Sequence, residues 1–128
     1  MSESAMARIP LVCVVDDDES VRESLPPLLG TEGYGVAAYA SAEDFLASTS
    51  LARADCLILD VRMPGMTGPE LQRELAVRRL EIPIVFVTAH DDEDILPQLI
   101  GRGAVACLRK PFSEETLLGA VEDALRPR

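Results

Sequence analysis

The sequence predicts a single α/β domain built around a parallel sheet. Short apolar runs rich in β-branched residues alternate with longer segments of helical periodicity, which is the usual pattern of parallel strands joined by helical crossovers. The chain has 128 residues, 48% of them hydrophobic, enough for one well-formed core and too few for two. We therefore expect one domain over residues 1–128, with its core at about residues 9–125.

Five apolar runs are the candidate strands. The first is apolar on both faces, as expected for a strand covered by helices on both sides of the sheet. The runs lie at about residues 9–15, 36–39, 55–60, 84–88 and 105–108.

Prolines interrupt two of the five expected helices. Pro26 and Pro27 fall inside the first helix, where each removes an amide donor and crowds the preceding turn, at roughly 3 kcal/mol in a helix interior. We expect a kink or a break near residues 23–27. Pro97 falls within the expected fourth helix, and the simplest solution is a helix that starts late, near Leu96.

The other three helices carry local start signals. Ser41, with an acidic residue three positions later, resembles a capping box. The Pro- and Gly-rich segment 63–68 predicts a loop over the sheet edge, after which Pro69 suits the first turn of a helix over residues 69–78. Ser113 can cap the last helix.

Composition excludes several classes of partner. The net charge is -10, from 12 basic and 22 acidic residues, which works against binding nucleic acid, where clustered Lys and Arg must contact phosphates. The apolar runs are far shorter than the roughly 20 residues that cross a membrane, and residues 1–10 lack the features of a signal peptide. We expect a cytoplasmic protein that binds neither nucleic acid nor membrane.

The cysteines and the histidine do not predict a transition-metal site. Cys13, Cys56 and Cys107 share no metal-type spacing and lie in or beside apolar runs, so we expect reduced, buried residues with a structural role. His90 is the single histidine, with no cysteine nearby, so we do not expect zinc binding.

Polar side chains stand at the ends of four apolar runs. They are Asp16 and Asp17 after the first, Asp60 at the end of the third, Thr88 at the end of the fourth and Lys110 after the fifth. In open parallel sheets the carboxyl ends of the strands meet at one edge, where ligands bind. These side chains are therefore expected in one crevice.

The residue types in that crevice suit phosphoryl chemistry. Three crowded carboxylates repel one another unless a cation is present, and Mg²⁺ prefers such oxygen ligands. Lys110 suits a phosphate, and Asp60 could act as a nucleophile that forms an aspartyl phosphate. Thr88 could then donate a hydrogen bond to the new phosphoryl group and move with it, as in a switch.

Four segments of the chain resemble a known family. VVDDDES, LILDVRMPGMTGPEL, VFVTAH and RKPF occur in the order and near the spacing of receiver domains of two-component response regulators, over nearly the whole chain. The resemblance implies a flavodoxin-like, doubly wound sheet of five parallel strands in the order 2-1-3-4-5, with five helices.

The resemblance also implies roles for the site residues. Asp60 would be the phosphoacceptor, Thr88 the switch hydroxyl and Lys110 the phosphate-binding lysine. The bond between Lys110 and Pro111 would be cis.

A Mg²⁺ site is implied in the same way. Asp17 and Asp60 would bind the ion directly with the backbone carbonyl of Arg62, and Asp16 would act largely through water.

Three positions modify the family pattern. Cys107 stands where the family usually has Tyr or Phe, whose rotation accompanies the movement of the threonine. Arg62 and His90 occupy the variable positions two residues after Asp60 and Thr88, from which they would affect the lifetime of the phosphoryl group.

The leading hypothesis is a signalling switch and not an enzyme. A histidine kinase or phosphotransfer protein would phosphorylate Asp60, and the surface of the fourth helix, fifth strand and fifth helix would change its affinity for a downstream protein or an output domain. The chain would be either a stand-alone regulator or the receiver part of a longer transcriptional regulator. A weak homodimer through the fourth helix and fifth strand would also resemble the family.

Two other functions remain open at this point. A pseudo-receiver, acting as an unphosphorylated protein-binding module, would have the same fold without a Mg²⁺-dependent change. An aspartyl-phosphate hydrolase of the haloacid dehalogenase type also needs an aspartate at a strand end, but expects a second aspartate where this chain has Arg62.

Overall fold

The computed structural model describes residues 8–89 and 94–127. Within them, five strands form one parallel sheet in the order β2-β1-β3-β4-β5. The strands are β1 (Leu11–Val15), β2 (Gly35–Tyr39), β3 (Cys56–Asp60), β4 (Ile84–Thr88) and β5 (Ala106–Arg109). This is the order that the family resemblance implied. Each predicted strand is present: β4 has the predicted bounds, and the other four differ from theirs by one or two residues at an end.

In the described residues four α-helices and one 3₁₀ turn connect the strands, and a fifth helix follows β5. They are α1 (Glu19–Gly30), α2 (Ala42–Leu46), the 3₁₀ turn Thr49–Ala52, α3 (Gly68–Val77), α4 (Leu96–Gly101) and α5 (Glu114–Leu125). The expected alternation of strands and helices is confirmed. The second helix is short, and the 3₁₀ turn continues the crossover after it.

The two proline-containing helices differ from each other. Helix α1 runs through Pro26 and Pro27 as one element, so the chain does not break there, while a bend at this point stays a prediction. Leu25 and Leu29 are buried beside the prolines, and this packing keeps the segment helical despite the missing amide donors. Helix α4 does start late, at Leu96, with proline in its first turn.

Side-chain caps define the helix starts. Ser41 Oγ and Ser113 Oγ each accept a backbone N–H three residues later at 3.0 Å, as predicted. Helix α3 begins one residue earlier than predicted, because Thr67 and Glu70 form a complete capping box.

The sheet separates two apolar layers. One lies against α2, α3 and α4 and includes Phe45, Leu59 and Leu71; the other lies against α1 and α5 and includes Ile58 and Leu117. These layers bury both faces of the central strands, which leaves the carboxyl ends of the strands as the place where polar groups gather.

The cysteines are distributed over both layers. Cys13 belongs to the first layer and Cys56 to the second, and both are buried, as predicted. Cys107 is only partly buried. All three are free thiols. Among the residues that the structure describes, no helix is both long and apolar enough to cross a membrane.

Candidate functional site

The three predicted carboxylates meet at the carboxyl edge of the sheet. Asp16 and Asp17 follow β1, and Asp60 ends β3, the strand paired with β1. One carboxylate oxygen from each lies within 4.8 Å of the others. Asp16 is 1% exposed and Asp60 6%, whereas Asp17 is open to solvent. Strand pairing therefore produces a cluster with two buried carboxylates and one at the surface.

Lys110 places a cation inside this cluster. Its Nζ donates to Asp16 Oδ2 at 2.9 Å, and both side chains are largely buried. Its backbone N–H donates to the carbonyl of Thr88 at 2.7 Å, so the end of β4 fixes the lysine backbone. The Lys110–Pro111 peptide bond is cis, as the resemblance implied. The side chain of Thr88 is buried at the end of β4.

The surroundings of Asp60 disfavour its charged form and raise its pKa. Burial, and then the neighbouring charge of Asp16, raise this pKa from 3.8 to about 7. Lys110 and the backbone N–H of Arg62, 3.4 Å from Asp60 Oδ1, oppose the shift without cancelling it. Asp60 is therefore partly protonated near neutral pH, and a divalent cation bound here would stabilise its ionised form.

The same carboxylates also shift the pKa of Lys110. Partial burial by itself would lower this pKa, but the hydrogen bond and charge of Asp16, with the charges of Asp60 and Asp18, raise it instead. The lysine is therefore a permanent cation at physiological pH.

The loop after β3 returns directly onto Asp60. Gly68 N–H donates to the carbonyl of Val61 at 3.1 Å, which closes the loop formed by residues 61–67. A Cβ at Gly68 would lie 2.3 Å from the backbone oxygen of Asp60, closer than any side chain can approach. In the sequence Gly68 looks like an ordinary loop residue, and only the packing shows that this position requires glycine.

Arg22 is a neighbour of the site that the sequence analysis missed. From α1, its Nη1 donates to the backbone carbonyl of Asp16 at 3.0 Å. This contact fixes the backbone that carries two of the three carboxylates and brings another positive charge close to them. The only signal in the sequence was the position of the arginine one helical turn and a half after the aspartates.

The three atypical positions are placed as follows. Cys107 lies on β5, partly buried against the first apolar layer, and burial raises the pKa of its thiol, which works against a reactive thiolate. Arg62 lies exposed at the rim of the site. His90 lies outside the described residues.

Fold and site together define a class: a doubly wound α/β domain with an acidic, lysine-containing crevice where β1, β3 and β5 end. The family model for the response regulator receiver domain matches residues 12–122. The chain therefore belongs to the receiver domain family of response regulators.

Similar proteins agree with this assignment. The response regulator protein TodT of Pseudomonas putida is 41% identical over 119 residues, covering 93% of this chain and 52% of TodT. Nodulation protein W of Bradyrhizobium diazoefficiens is 44% identical over 111 residues, covering 87% of this chain and 49% of that protein. The chain thus spans about half the length of these curated relatives.

Solved structures share the fold. The response regulator StyR has a TM-score of 0.86 at 46% identity, covering 92% of this chain and 60% of that one. The structure of FixJ-N has a TM-score of 0.82 at 36% identity, covering 92% of this chain and 94% of that one.

Proposed function

We propose that this domain is a phosphorylation-controlled switch of a two-component system, in which Asp60 accepts a phosphoryl group from a histidine kinase or phosphotransfer protein. The observation that carries the proposal is the convergence of Asp16, Asp17 and Asp60 within 4.8 Å, with Lys110 Nζ bound to Asp16. In this role the domain is a substrate and effector of other proteins and not an enzyme.

The donor set of the cluster fits Mg²⁺. All the candidate ligands are hard oxygen atoms, and the raised pKa of Asp60 marks a need for added positive charge. Asp17 and Asp60 would hold the ion with the backbone carbonyl of Arg62, while Asp16 would act through water. A bound Mg²⁺ supplies positive charge for both the carboxylates and the oxygens of the incoming phosphoryl group.

The chain's own residues then divide the chemistry among them. An oxygen of Asp60 attacks phosphorus, the bond from phosphorus to the donor breaks, and the donor atom leaves with the electron pair. Lys110 is already positioned by Asp16 and by the backbone of Thr88 to pair with a phosphoryl oxygen. The hydroxyl of Thr88 donates to another such oxygen, which links phosphorylation to the end of β4.

The output of the switch belongs to the surface of α4, β5 and α5. A change at the ends of β4 and β5 reaches this surface directly, because Lys110 N–H and the carbonyl of Thr88 are hydrogen-bonded. The surface would bind a downstream protein, an output domain or, weakly, a second copy of the chain. We place this switch in the cytoplasm, where kinase and phosphoryl donors meet it.

Intact-mass measurement tests the proposal. Incubation with Mg²⁺ and acetyl phosphate should add one phosphoryl group to the wild type, and none to Asp60→Asn or to a sample with the metal chelated. Absence of uptake, together with absence of a beryllofluoride-induced change in the amide spectrum, would contradict it and favour an unphosphorylated protein-binding module.

A further inference from the structure

A carboxylate outside the acidic cluster contacts the loop that follows Asp60. Glu43, on α2, accepts a hydrogen bond through Oε2 from the backbone N–H of Met66 at 2.9 Å. The two residues are 23 positions apart in the sequence, so the contact joins separate parts of the chain. It connects α2 with the loop formed by residues 61–67, which includes Arg62.

The loop needs this partner because its turn lacks an internal one. Pro64 and Gly65, which has a φ of +74°, are the residue pair favoured at the central positions of a type II turn, here the turn that Met66 would close. In a closed turn of this kind the last N–H donates to the first carbonyl. Among the described residues the Met66 N–H makes no such backbone bond and donates to Glu43 instead. The carboxylate replaces the missing hydrogen bond.

Gly65 allows the carboxylate to approach. A Cβ built at this position would lie 2.7 Å from Glu43 Oε2, so a larger residue would push the carboxylate away. Glycine at position 65 therefore serves two purposes, the positive φ and the direct contact with Glu43.

The two ends of the loop are already held near Asp60. The Gly68 N–H to Val61 carbonyl bond closes it, and the backbone N–H of Arg62 lies 3.4 Å from Asp60 Oδ1. The middle of the loop is restrained by a different element, because Glu43 on α2 accepts the hydrogen bond from the Met66 N–H. A hydrogen bond to a charged acceptor is stronger than one between neutral groups.

We propose that Glu43 is a positioning residue for the Mg²⁺ site: it holds the loop so that the backbone of Arg62 stays beside Asp60. The inference rests on the proposed function, in which the backbone carbonyl of Arg62 is a ligand of Mg²⁺. Glu43 itself does not touch the ion or the phosphoryl group. Glu43 acts through its hydrogen bond to the Met66 N–H, which holds the turn in place.

Three variants separate positioning from charge. Glu43→Ala removes the acceptor, Glu43→Gln keeps an acceptor oxygen without the charge, and Asp44→Ala removes an adjacent exposed carboxylate and so matches the charge change of Glu43→Ala. Mg²⁺ affinity is measured by calorimetry on the full chain, and the exchange rate of the Met66 amide by NMR.

We expect Glu43→Ala to bind Mg²⁺ about three- to tenfold more weakly, at or below the lower limit of the roughly 10- to 100-fold range found for residues that orient metal ligands, because Glu43 acts through the loop and not on a ligand side chain. Its Met66 amide should exchange faster than in the wild type. Glu43→Gln should recover most of both properties, and Asp44→Ala should match the wild type. Uptake of a phosphoryl group from acetyl phosphate should slow in Glu43→Ala at subsaturating Mg²⁺ and recover at high Mg²⁺.

The outcomes that overturn the inference are distinct from failure of the proposed function. Equal weakening in Glu43→Ala and Asp44→Ala would reduce the effect to charge, and an unchanged Met66 amide in Glu43→Ala would remove the contact itself. Wild-type protein that binds no Mg²⁺ would also overturn it. Wild-type protein that binds Mg²⁺ without accepting a phosphoryl group would contradict the switch alone, and the Mg²⁺ affinities of the variants would still decide the role of Glu43.

Discussion

Leu59 and Asp60 are neighbours on β3, both are buried, and burial has opposite consequences for them. Leu59 is fully buried in the apolar layer under α2, α3 and α4. Asp60 is 6% exposed beside another carboxylate, and its raised pKa records the unfavourable energy of that position. Leu59 belongs to the packed core that stabilises the fold. Asp60, the next residue on the same strand, belongs to the site that the fold positions.

The same contrast distinguishes the packed body of the sheet from its carboxyl edge. In the body of the sheet, apolar side chains fill both layers and each contributes to the free energy of unfolding. At the carboxyl edge, Asp16 and Asp60 reduce that free energy, and Lys110 offsets part of the loss. The fold tolerates the unfavourable charges at the carboxyl edge because the packed body of the sheet is stable enough to offset them. Four substitutions test this comparison, from the largest expected effect to the smallest.

The largest effect is expected in the body. Leu59→Ala should lower the free energy of unfolding by about 3 kcal/mol, because it removes buried methyl groups and leaves a cavity. Urea denaturation followed by circular dichroism measures the change. Val77→Ala, at a side chain that is 78% exposed, is the control and should change it by less than about 0.5 kcal/mol. Equal effects at both positions would contradict the packing described.

Removal of the cation at the edge comes next. Lys110→Met should lower the free energy of unfolding by about 2 kcal/mol at pH 7, because Asp16 would be left buried without its partner. The expected loss is below that of a fully buried pair because the lysine side chain retains 16% exposure. Thermal unfolding with Mg²⁺ chelated measures it, and Lys110→Arg, which keeps the charge, should lose less. A neutral result for Lys110→Met would mean that solvent screens the pair.

Neutralising the other carboxylate should have the opposite sign. Asp60→Asn should raise the free energy of unfolding by about 1 to 2 kcal/mol at pH 7 without metal, because a charge is removed from a site that disfavours it. Stability curves for both proteins, measured between pH 4 and pH 8, check this expectation.

The pH dependence of that gain follows from the direction of the pKa shift. Near pH 4 and below, Asp60 is protonated in the folded chain and increasingly so in the unfolded chain, so the two proteins should be similar. The wild type loses stability relative to Asp60→Asn as pH rises from about 4 to about 7, and the difference is constant above that range. Mg²⁺ should stabilise the wild type more than the variant. A pH-independent difference would contradict the raised pKa.

The smallest effect concerns a polar group inside the body. Gln72 is buried on α3, its Nε2 donates to the carbonyl of Leu99 at 3.3 Å, and its Oε1 has no partner among the described residues. Gln72→Met should raise the free energy of unfolding by about 1 kcal/mol, because the unsatisfied oxygen is removed while the Leu99 carbonyl keeps its backbone donors. Differential scanning calorimetry measures the shift, and destabilisation would show that Oε1 has a partner such as water.

Local signals in the sequence predicted most of the elements. Ser41 and Ser113 start their helices because a hydroxyl and a nearby N–H are enough for a cap. The prediction for α3 was off by one residue because the Pro- and Gly-rich segment concealed the Thr67 cap. The sequence predicted a kink or a break near residues 23–27; the helix is continuous there because the packing of α1 on the sheet outweighs the local preference, and a kink stays a prediction.

Strand ends predicted the site. Asp16, Asp17, Asp60 and Lys110 could be grouped from the sequence because parallel strands direct their carboxyl ends to one edge. That rule needs the order of residues along the chain and the direction of each strand, and both can be inferred from hydrophobic patterns.

The sequence by itself therefore determined the class of fold, the strands and the chemical groups of the site. Only the tertiary structure decided which groups are supported from a distance: Arg22 on the Asp16 carbonyl, Gly68 against Asp60, and Glu43 on the Met66 N–H. Hydrophobic periodicity and capping are interactions between near neighbours in sequence, which a reader of the chain can recognise. Contacts between separate elements depend on how those elements pack, and that is settled only when the whole chain has folded.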